Sequence, residues 1–332
     1  DMHLWVYWYC KLQNNNIFRN IMDMKPLLPA ILFAVSLDAA FASGVRDDET
    51  KVGSGLAYAS AVAISDLMEN GNIVRLSQVG AKAMPADIAP LGKLPFKMKQ
   101  VKRPVFKSNR LIISDGDKDS AGKVTKALNA KIAELSAMGG GRLIVHEGRW
   151  LTGRVELQSN VELYLAEGAR LEFSASIADY QPAVFTRHEG IEVMGAGAFI
   201  YANGAKNIAL TGHGVVSGPP MDVEMRTLRN GNSVVEKDVD YRLPVAERLC
   251  DGLDGRTFYR PKSFAPINCK NVLVEGVTFE RSVLWNINPI YCDNVIIRGV
   301  TVNSVGVPSG DGIDISSCKN VLIEYSTLSC GD

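Results

Sequence analysis

NCKNVLVEGVTF, Asn268 to Phe279, returns as YCDNVIIRGVTV, Tyr291 to Val302, and again as SCKNVLIEYSTL, Ser317 to Leu328. The cysteines near the head of the copies, Cys269, Cys292 and Cys318, stand 23 and then 26 residues apart. Self-similarity at such a period is the mark of a solenoid. Each copy is one coil that cannot bury its apolar face alone, and stacked neighbours share a core. Just before the third copy stands SGDGIDIS, with Asp311 and Asp314, and the sequence ends on Gly331-Asp332. A stacked coil that delivers carboxylates to one face suits sugar chemistry. A chain ending on one of them is expected to be incomplete.

Outward from the repeats, the pattern stays strand-like. RLIVHEG, VELQS, VELYLAEGARLEFS and NIALTGHGVVSG are short runs of period two with Gly, Asn and Ser breaks. Strand after short strand without crossover helices points to a parallel β-helix rather than a doubly wound sheet. One helix is expected ahead of them, since Val124, Leu128, Ile132 and Leu135 recur at helical spacing and Gly139-Gly140-Gly141 follows. It would cap the first coil, whose bare strand edge invites aggregation. The fold expected is therefore all-β, a parallel β-helix with an N-terminal capping helix. Met221 to Pro261 interrupts the repeats with a charged run and reads as an insertion over one face, where such loops commonly shape binding sites.

Composition is consistent with this. The 332 residues are 46% hydrophobic and 22% charged, enough for a sizeable core, with Lys+Arg and Asp+Glu equal at 36. A net charge of zero excludes a nucleic-acid binder working through a global basic field, though not a polyanionic substrate gripped by a local cluster. The six cysteines form no CxxC pair, which disfavours zinc and thioredoxin-type sites. Stacked strands about 4.8 Å apart would permit a disulfide between repeat cysteines, but interior free thiols are the reading adopted.

The N-terminal region suggests processing. From Met24 the chain reads MKPLLPAILFAVSLDAAFAS, with a positive start, an apolar stretch and an Ala-Phe-Ala cleavage signal. The organisation expected is upstream translation over 1–23, a signal peptide over 24–42, a leader over 43–94 and the β-helix over 95–332. Localisation is then secreted or periplasmic, with no membrane association after cleavage.

Aligning coils on the repeat cysteines places the chemistry. Asp311 and Trp285 each precede their cysteine by seven residues, and Asp314 and Asn288 by four. Trp285 should therefore lie one coil below Asp311, and Asn288 one coil below Asp314. Asp332, 21 residues after Asp311, should lie about one coil above. A strip of Trp, Asn and three Asp is a glycosidase cleft in outline. One carboxylic acid protonates the leaving oxygen, another carboxylate activates water, and crowding keeps one of them protonated. The indole is a stacking platform for a sugar ring. The same residues also suit solvated turns, where Asp and Gly are common.

The stretch from about Asn109 to Asp332 resembles glycoside hydrolase family 28, the polygalacturonases. The resemblance is carried by GGGRLIVHEGRWLTGRVELQSNVELYLAEGARLEFS, VFTRHEGIE and everything from RPKSFAPINCKNV onward. It implies a right-handed parallel β-helix and inverting hydrolysis of α-linked galacturonic acid in pectin. The family's N-T-D signature is here Ser309-Gly310-Asp311, which makes Asp311 the base. Its G-D-D or Q-D-D signature begins at Gly331-Asp332, which makes Asp332 the acid. The missing Asn and Thr put fine substrate preference in doubt. The second Asp, the G-H-G histidine and an R-x-K pair would lie further on, so the chain by itself is expected to be inactive or nearly so. Asp314, Trp285 and Asn288 are the expected substrate contacts. No cofactor or metal is expected. The partner is pectin or an oligogalacturonide bound by a monomer, without nucleic acid.

Three motifs are set aside. Gly212-His213-Gly214 spells G-H-G about a hundred residues too early. Asp115, Asp117 and Asp119 imitate a calcium loop, but Ser120 replaces the turn glycine and Lys126 the bidentate Glu. Gly195 and Gly197 lack a nucleotide-binding context. The competing functions are a Ca²⁺-dependent pectate-lyase-like enzyme, for which no oxygen-ligand cluster is visible, and a non-catalytic carbohydrate-binding or adhesin β-helix. Endo versus exo action, and homogalacturonan versus rhamnogalacturonan, stay open.

Overall fold

The computed structural model describes residues 84–227 and 237–331. Two compact units are distinguished, Asp1–Pro85 and Ala86–Asp332. The expected signal peptide and upstream stretch, and Asp332, lie outside the described residues, as does most of the expected leader. Among the described residues no helix is long and apolar enough to cross a membrane.

The second unit is a right-handed parallel β-helix. A seven-stranded parallel sheet, A, runs through Arg110–Ile113, Gly141–Val145, Val161–Leu165, Lys206–Gly212, Lys270–Glu275, Asp293–Arg298 and Lys319–Glu324. Sheet B has six strands, from Gly148–Thr152 up to Thr301–Ser304 and Thr327–Cys330. Sheet C joins Val155–Glu156, Ala198–Asn203 and Lys262–Ile267, and isolated bridges carry it upward through Ile287 and Ile313. The three sequence repeats are the sheet A and B strands of three successive coils. Their registers, Val272↔Val295↔Val321 and Phe279↔Val302↔Leu328, match the 23- and 26-residue spacings.

Alternation along each strand fills the interior. In sheet A, Val272, Val274, Val295 and Ile297 point inward and are fully or almost fully buried. Thiols join the same core: Cys269 and Cys292 are buried and Cys318 half-buried, all unoxidised. The Cys292 thiol is pushed up to about 12, first by its hydrogen bond with Cys269. The expected cap is helix α1, Thr125–Ala137, whose Leu128, Ile132 and Leu135 are fully buried. It packs on the first strands of sheet A and on Val155–Glu156.

The outward column of sheet A is also apolar, namely Ala209, Leu273, Ile296 and Leu322. An extended strap before the first strand explains it. Ile88, Met98, Val101 and Phe106 pack on this column and give those strands two buried faces. The strap is pinned by polar ties as well. Arg103 forms a two-pronged pair with Glu275, and Glu275 and Glu324 flank the fully buried Arg298, which also donates to the Ala86 carbonyl.

The asparagine repeated in every copy has a distinct task. Asn271, Asn294 and Asn320 all adopt positive φ, between 53° and 60°, at the corner into sheet A. Asparagine tolerates this left-handed conformation better than most residues. In lower coils its amide bonds the asparagine beneath, Asn271 to Asn207 at 2.7 Å and Asn207 to Asn160 at 2.9 Å. In the upper coils the strap takes over. Asn294 receives the Lys102 N–H and donates to its carbonyl, both at 2.7 Å, and Asn320 receives the Lys99 N–H at 3.0 Å. Asn294→Ala is expected to cost about 2–4 kcal/mol through the lost bonds and the strained corner. Asn294→Gly should recover part of it, as read from urea unfolding midpoints.

Candidate active site

Sheet C positions every expected site residue that is described. The bridges Phe264↔Ile287↔Ile313 and Ile267↔Ile290↔Ser316 fix the register of three coils. Trp285 therefore stands beside Asp311 and Asn288 beside Asp314, as the cysteine alignment placed them. Backbone bonds hold the pairs together: Asn286 N–H donates to the Asp311 carbonyl at 2.9 Å, and Asp314 N–H to the Ile287 carbonyl at 2.8 Å. Asn288 is fully buried. Its amide donates to the Asp314 carbonyl at 2.6 Å and to Ser316 Oγ at 3.0 Å. It thus reaches the backbone that carries Asp314 rather than the open cleft. Asp311 and Asp314 are half-buried, with Oδ1 of the former and Oδ2 of the latter shielded from solvent.

The longer second period has a local cause. Between Thr278↔Thr301 the offset is 23, but at Ile287↔Ile313 it is 26. The three added residues fall in the loop between sheet B and Asp311. That loop turns through Gly306 and Ser309, both at positive φ. At Gly310 it closes so tightly that a Cβ would sit 2.8 Å from the Val307 carbonyl oxygen and 3.1 Å from Ser304 Cβ. Ser304 Oγ donates to the Gly310 carbonyl. Glycine in the middle of Ser309-Gly310-Asp311 is thus required by this loop's own packing.

One important residue escaped the sequence reading. Lys262 precedes Cys269 by seven residues, so it continues the Trp285–Asp311 column one coil lower, a position the cysteine alignment could have revealed. It is almost fully buried, with Nζ 5.7 Å from the Trp285 ring centroid. Nζ donates to the Arg187 carbonyl at 2.8 Å and to Thr186 Oγ1 at 3.3 Å. Burial lowers this ammonium to about 7, while Asp314 and Glu189 act in the opposite sense.

Above Lys262 lies a wall. Strands Val184–His188 and Ile191–Gly195 form an antiparallel hairpin, joined on its outer edge by Leu249–Cys250 from the insertion. The hairpin covers the outer face of lower sheet C, packing Val184 and Phe185 on Tyr201, Ala265, Ile267 and Ile290. Tyr201 Oη ties to the Phe185 carbonyl at 2.8 Å, and His188 stacks on Tyr259 at 4.1 Å. The insertion also holds a one-turn helix, α2, Glu224–Thr227. Its Arg226 donates to the carbonyls of Pro219, Pro220, Arg281 and Ser282, and burial lowers that guanidinium to about 10.

The motifs set aside are structural. Asp115 meets Lys118, Asp117 meets Lys131, and Asp119 receives the N–H groups of Ala121 and Lys123. His213 sits in a turn between sheets A and B, its N–H bonded to the Leu165 carbonyl. Among the described residues no group of His, Cys, Asp and Glu is arranged to hold a metal.

A parallel β-helix with paired aspartates on one sheet, walled at one end, is the class that fold and site define. Residues 250–332 match the family described as glycosyl hydrolases family 28. An exopolygalacturonase from Thermotoga maritima shares 33% identity at a TM-score of 0.60, over 70% of this chain and 55% of that one. An exo-poly-α-D-galacturonosidase from Dickeya chrysanthemi is 24% identical over 216 residues, 58% of this chain and 36% of the relative. A family 28 exopolygalacturonase from Yersinia enterocolitica shares the fold at 23% identity and a TM-score of 0.51, over 68% of this chain and 44% of that one. The chain thus spans between about a third and somewhat over half of these relatives.

The buried lysine makes a signed prediction. Between about pH 7 and about pH 10.5 the unfolded chain holds a proton on Lys262 that the folded chain lacks, so this group's contribution to stability rises with pH across that window. Lys262→Met removes the dependence. Its stability relative to the parent should be most favourable at or below pH 7 and decline toward pH 10, as followed by thermal unfolding. A difference that does not vary with pH would contradict the assignment.

Proposed function

We propose that the protein is a secreted or periplasmic glycoside hydrolase of the polygalacturonase type. It would cleave α-galacturonosyl linkages of pectin with inversion, acting from a chain end. The observation that carries the reading is the sheet C strip, with Asp311 and Asp314 on one coil and Trp285 in register one coil below. The match to family 28 over the same residues supports it.

In this mechanism Asp311 is the base that activates water. Asp332, outside the described residues, is the acid that protonates the leaving oxygen. Inverting hydrolysis divides the work in this way between two carboxyl groups on opposite sides of the bond. Trp285 supplies an apolar face for a sugar ring. Asn288 holds the backbone of Asp314 in place, and Asp314 lines the cleft.

The wall supports exo action. A polymer lying across successive coils of sheet C needs both directions open, and the hairpin with its insertion strand covers the lower coils. The exo-acting relatives named above agree with this choice.

Polygalacturonate digestion by a protein that also carries the second Asp of the G-D-D signature, the G-H-G histidine and the R-x-K pair tests the reading, the chain by itself being expected to be inactive or nearly so. Monomer or dimer should accumulate from the outset, with no near-ultraviolet absorbance, and proton NMR should show the inverted anomer first. A broad early ladder of oligomers would refute end-directed action, and an unsaturated product would mean a lyase. Asp311→Asn should lower kcat by about 10²–10⁴-fold while oligogalacturonide binding persists. Unchanged turnover would remove Asp311 from the mechanism.

A further inference from the structure

The hairpin carries a guanidinium placed for recognition. Arg187 stands near the hairpin tip, its side chain half-exposed over the corner where sheet C passes into sheet A. Its guanidinium lies 5.4 Å from the Tyr291 ring centroid. Nη1 donates to Ser317 Oγ at 3.1 Å, and Nε to the Gly190 carbonyl at 3.0 Å. The Tyr291 shelf is itself fixed, donating from Oη to Glu192 at 2.9 Å. The Arg187 carbonyl is anchored by buried Lys262. Ser317 follows Asp314 by three residues on the same coil, so the guanidinium borders the catalytic strip.

This arginine keeps neutral company. Several arginines meet carboxylates, as Arg103 does with Glu275, Arg170 with Glu172 and Arg256 with Asp251, whereas Arg226 and Arg248 spend their donors on backbone carbonyls. Arg187 pairs with no carboxylate, and its Nη2 donates to no acceptor among the described residues. The nearby Glu192 is engaged by Tyr291, and Glu189 lies 3.8 Å from His188 Nε2. A planar fork held by stacking and two hydrogen bonds, with one edge open and its charge unpaired, is preorganised for a carboxylate. Little side-chain entropy remains to be lost on binding.

We propose that Arg187 is a specificity-determining residue that receives the carboxylate of a galacturonate unit bound beside Asp314, so that acid units are chosen over neutral or esterified ones. This rests on the polygalacturonase reading given above. It assigns to the wall a second role, reading charge as well as blocking the cleft.

Titration calorimetry of the full chain with trigalacturonate, and separately with its methyl ester, tests the proposal. The parent should prefer the acid over the ester. Arg187→Gln should weaken acid binding about tenfold or more and leave ester binding nearly unchanged, which collapses the ratio. Arg187→Lys should restore the ratio only in part, since an ammonium keeps the charge without the fork. The ratio within one variant does not depend on the fraction folded. An Arg187→Gln protein that keeps the parental ratio overturns the assignment while leaving the polygalacturonase reading intact. A parent that binds neither ligand overturns both.

Discussion

The parallel hydrogen-bonded register between successive coils is the constraint on which everything else depends. It sets Ile287 beside Ile313 and Ile290 beside Ser316, and through them brings residues 26 apart in sequence into neighbouring rungs. A one-residue slip would turn Val295 and Ile297 outward and empty the core. Because the core fixes the register so strongly, the cleft needs little machinery of its own. Trp285 and Asp311 become neighbours as a by-product of coils stacking. The chain departs from strict repetition in the loop that leads into Asp311, which gains three residues and closes on Gly310.

A second constraint acts from outside the solenoid. Strands with apolar residues on both faces cannot stand in water, and Leu273, Ile296 and Leu322 are covered by the strap. Lower sheet C is covered in the same way by the hairpin, which buries Ala265 and Ile290 and shuts in Lys262. Added segments thus complete the fold and also define where the cleft begins. The same hairpin that shields an apolar surface carries Arg187, so on the proposal made for that residue packing and recognition would be carried by one element.

Much of this was legible from the residues. The repeated Cys-Lys-Asn-Val and Cys-Asp-Asn-Val phrases marked the coils, the spacing of Val124, Leu128, Ile132 and Leu135 marked the cap, and counting back from the cysteines aligned Asp311 with Trp285. What escaped was contact made between distant segments without periodicity. Ile88, Met98, Val101 and Phe106 follow neither period two nor period 3.6, because they belong to an extended strap that packs on the outward column of sheet A. The run from Val184 to Glu192 was recognisable as family sequence, yet nothing local marks it as part of an antiparallel hairpin among parallel strands. Nothing local marks Lys262 as buried, because its ammonium is held by Thr186 and the Arg187 carbonyl of the hairpin. The burial of Asn288 depends likewise on the coil above, whose Asp314 carbonyl and Ser316 hydroxyl accept its amide.

On the function proposed, oligogalacturonide lies across the upper coils of sheet C, against the hairpin wall. Hydrogen exchange with and without trigalacturonate is the test. New protection is expected only at residues 184–192, 285–291 and 309–317, with sheets A and B unchanged. Protection centred on another face of the solenoid, or none at saturating ligand, would contradict it.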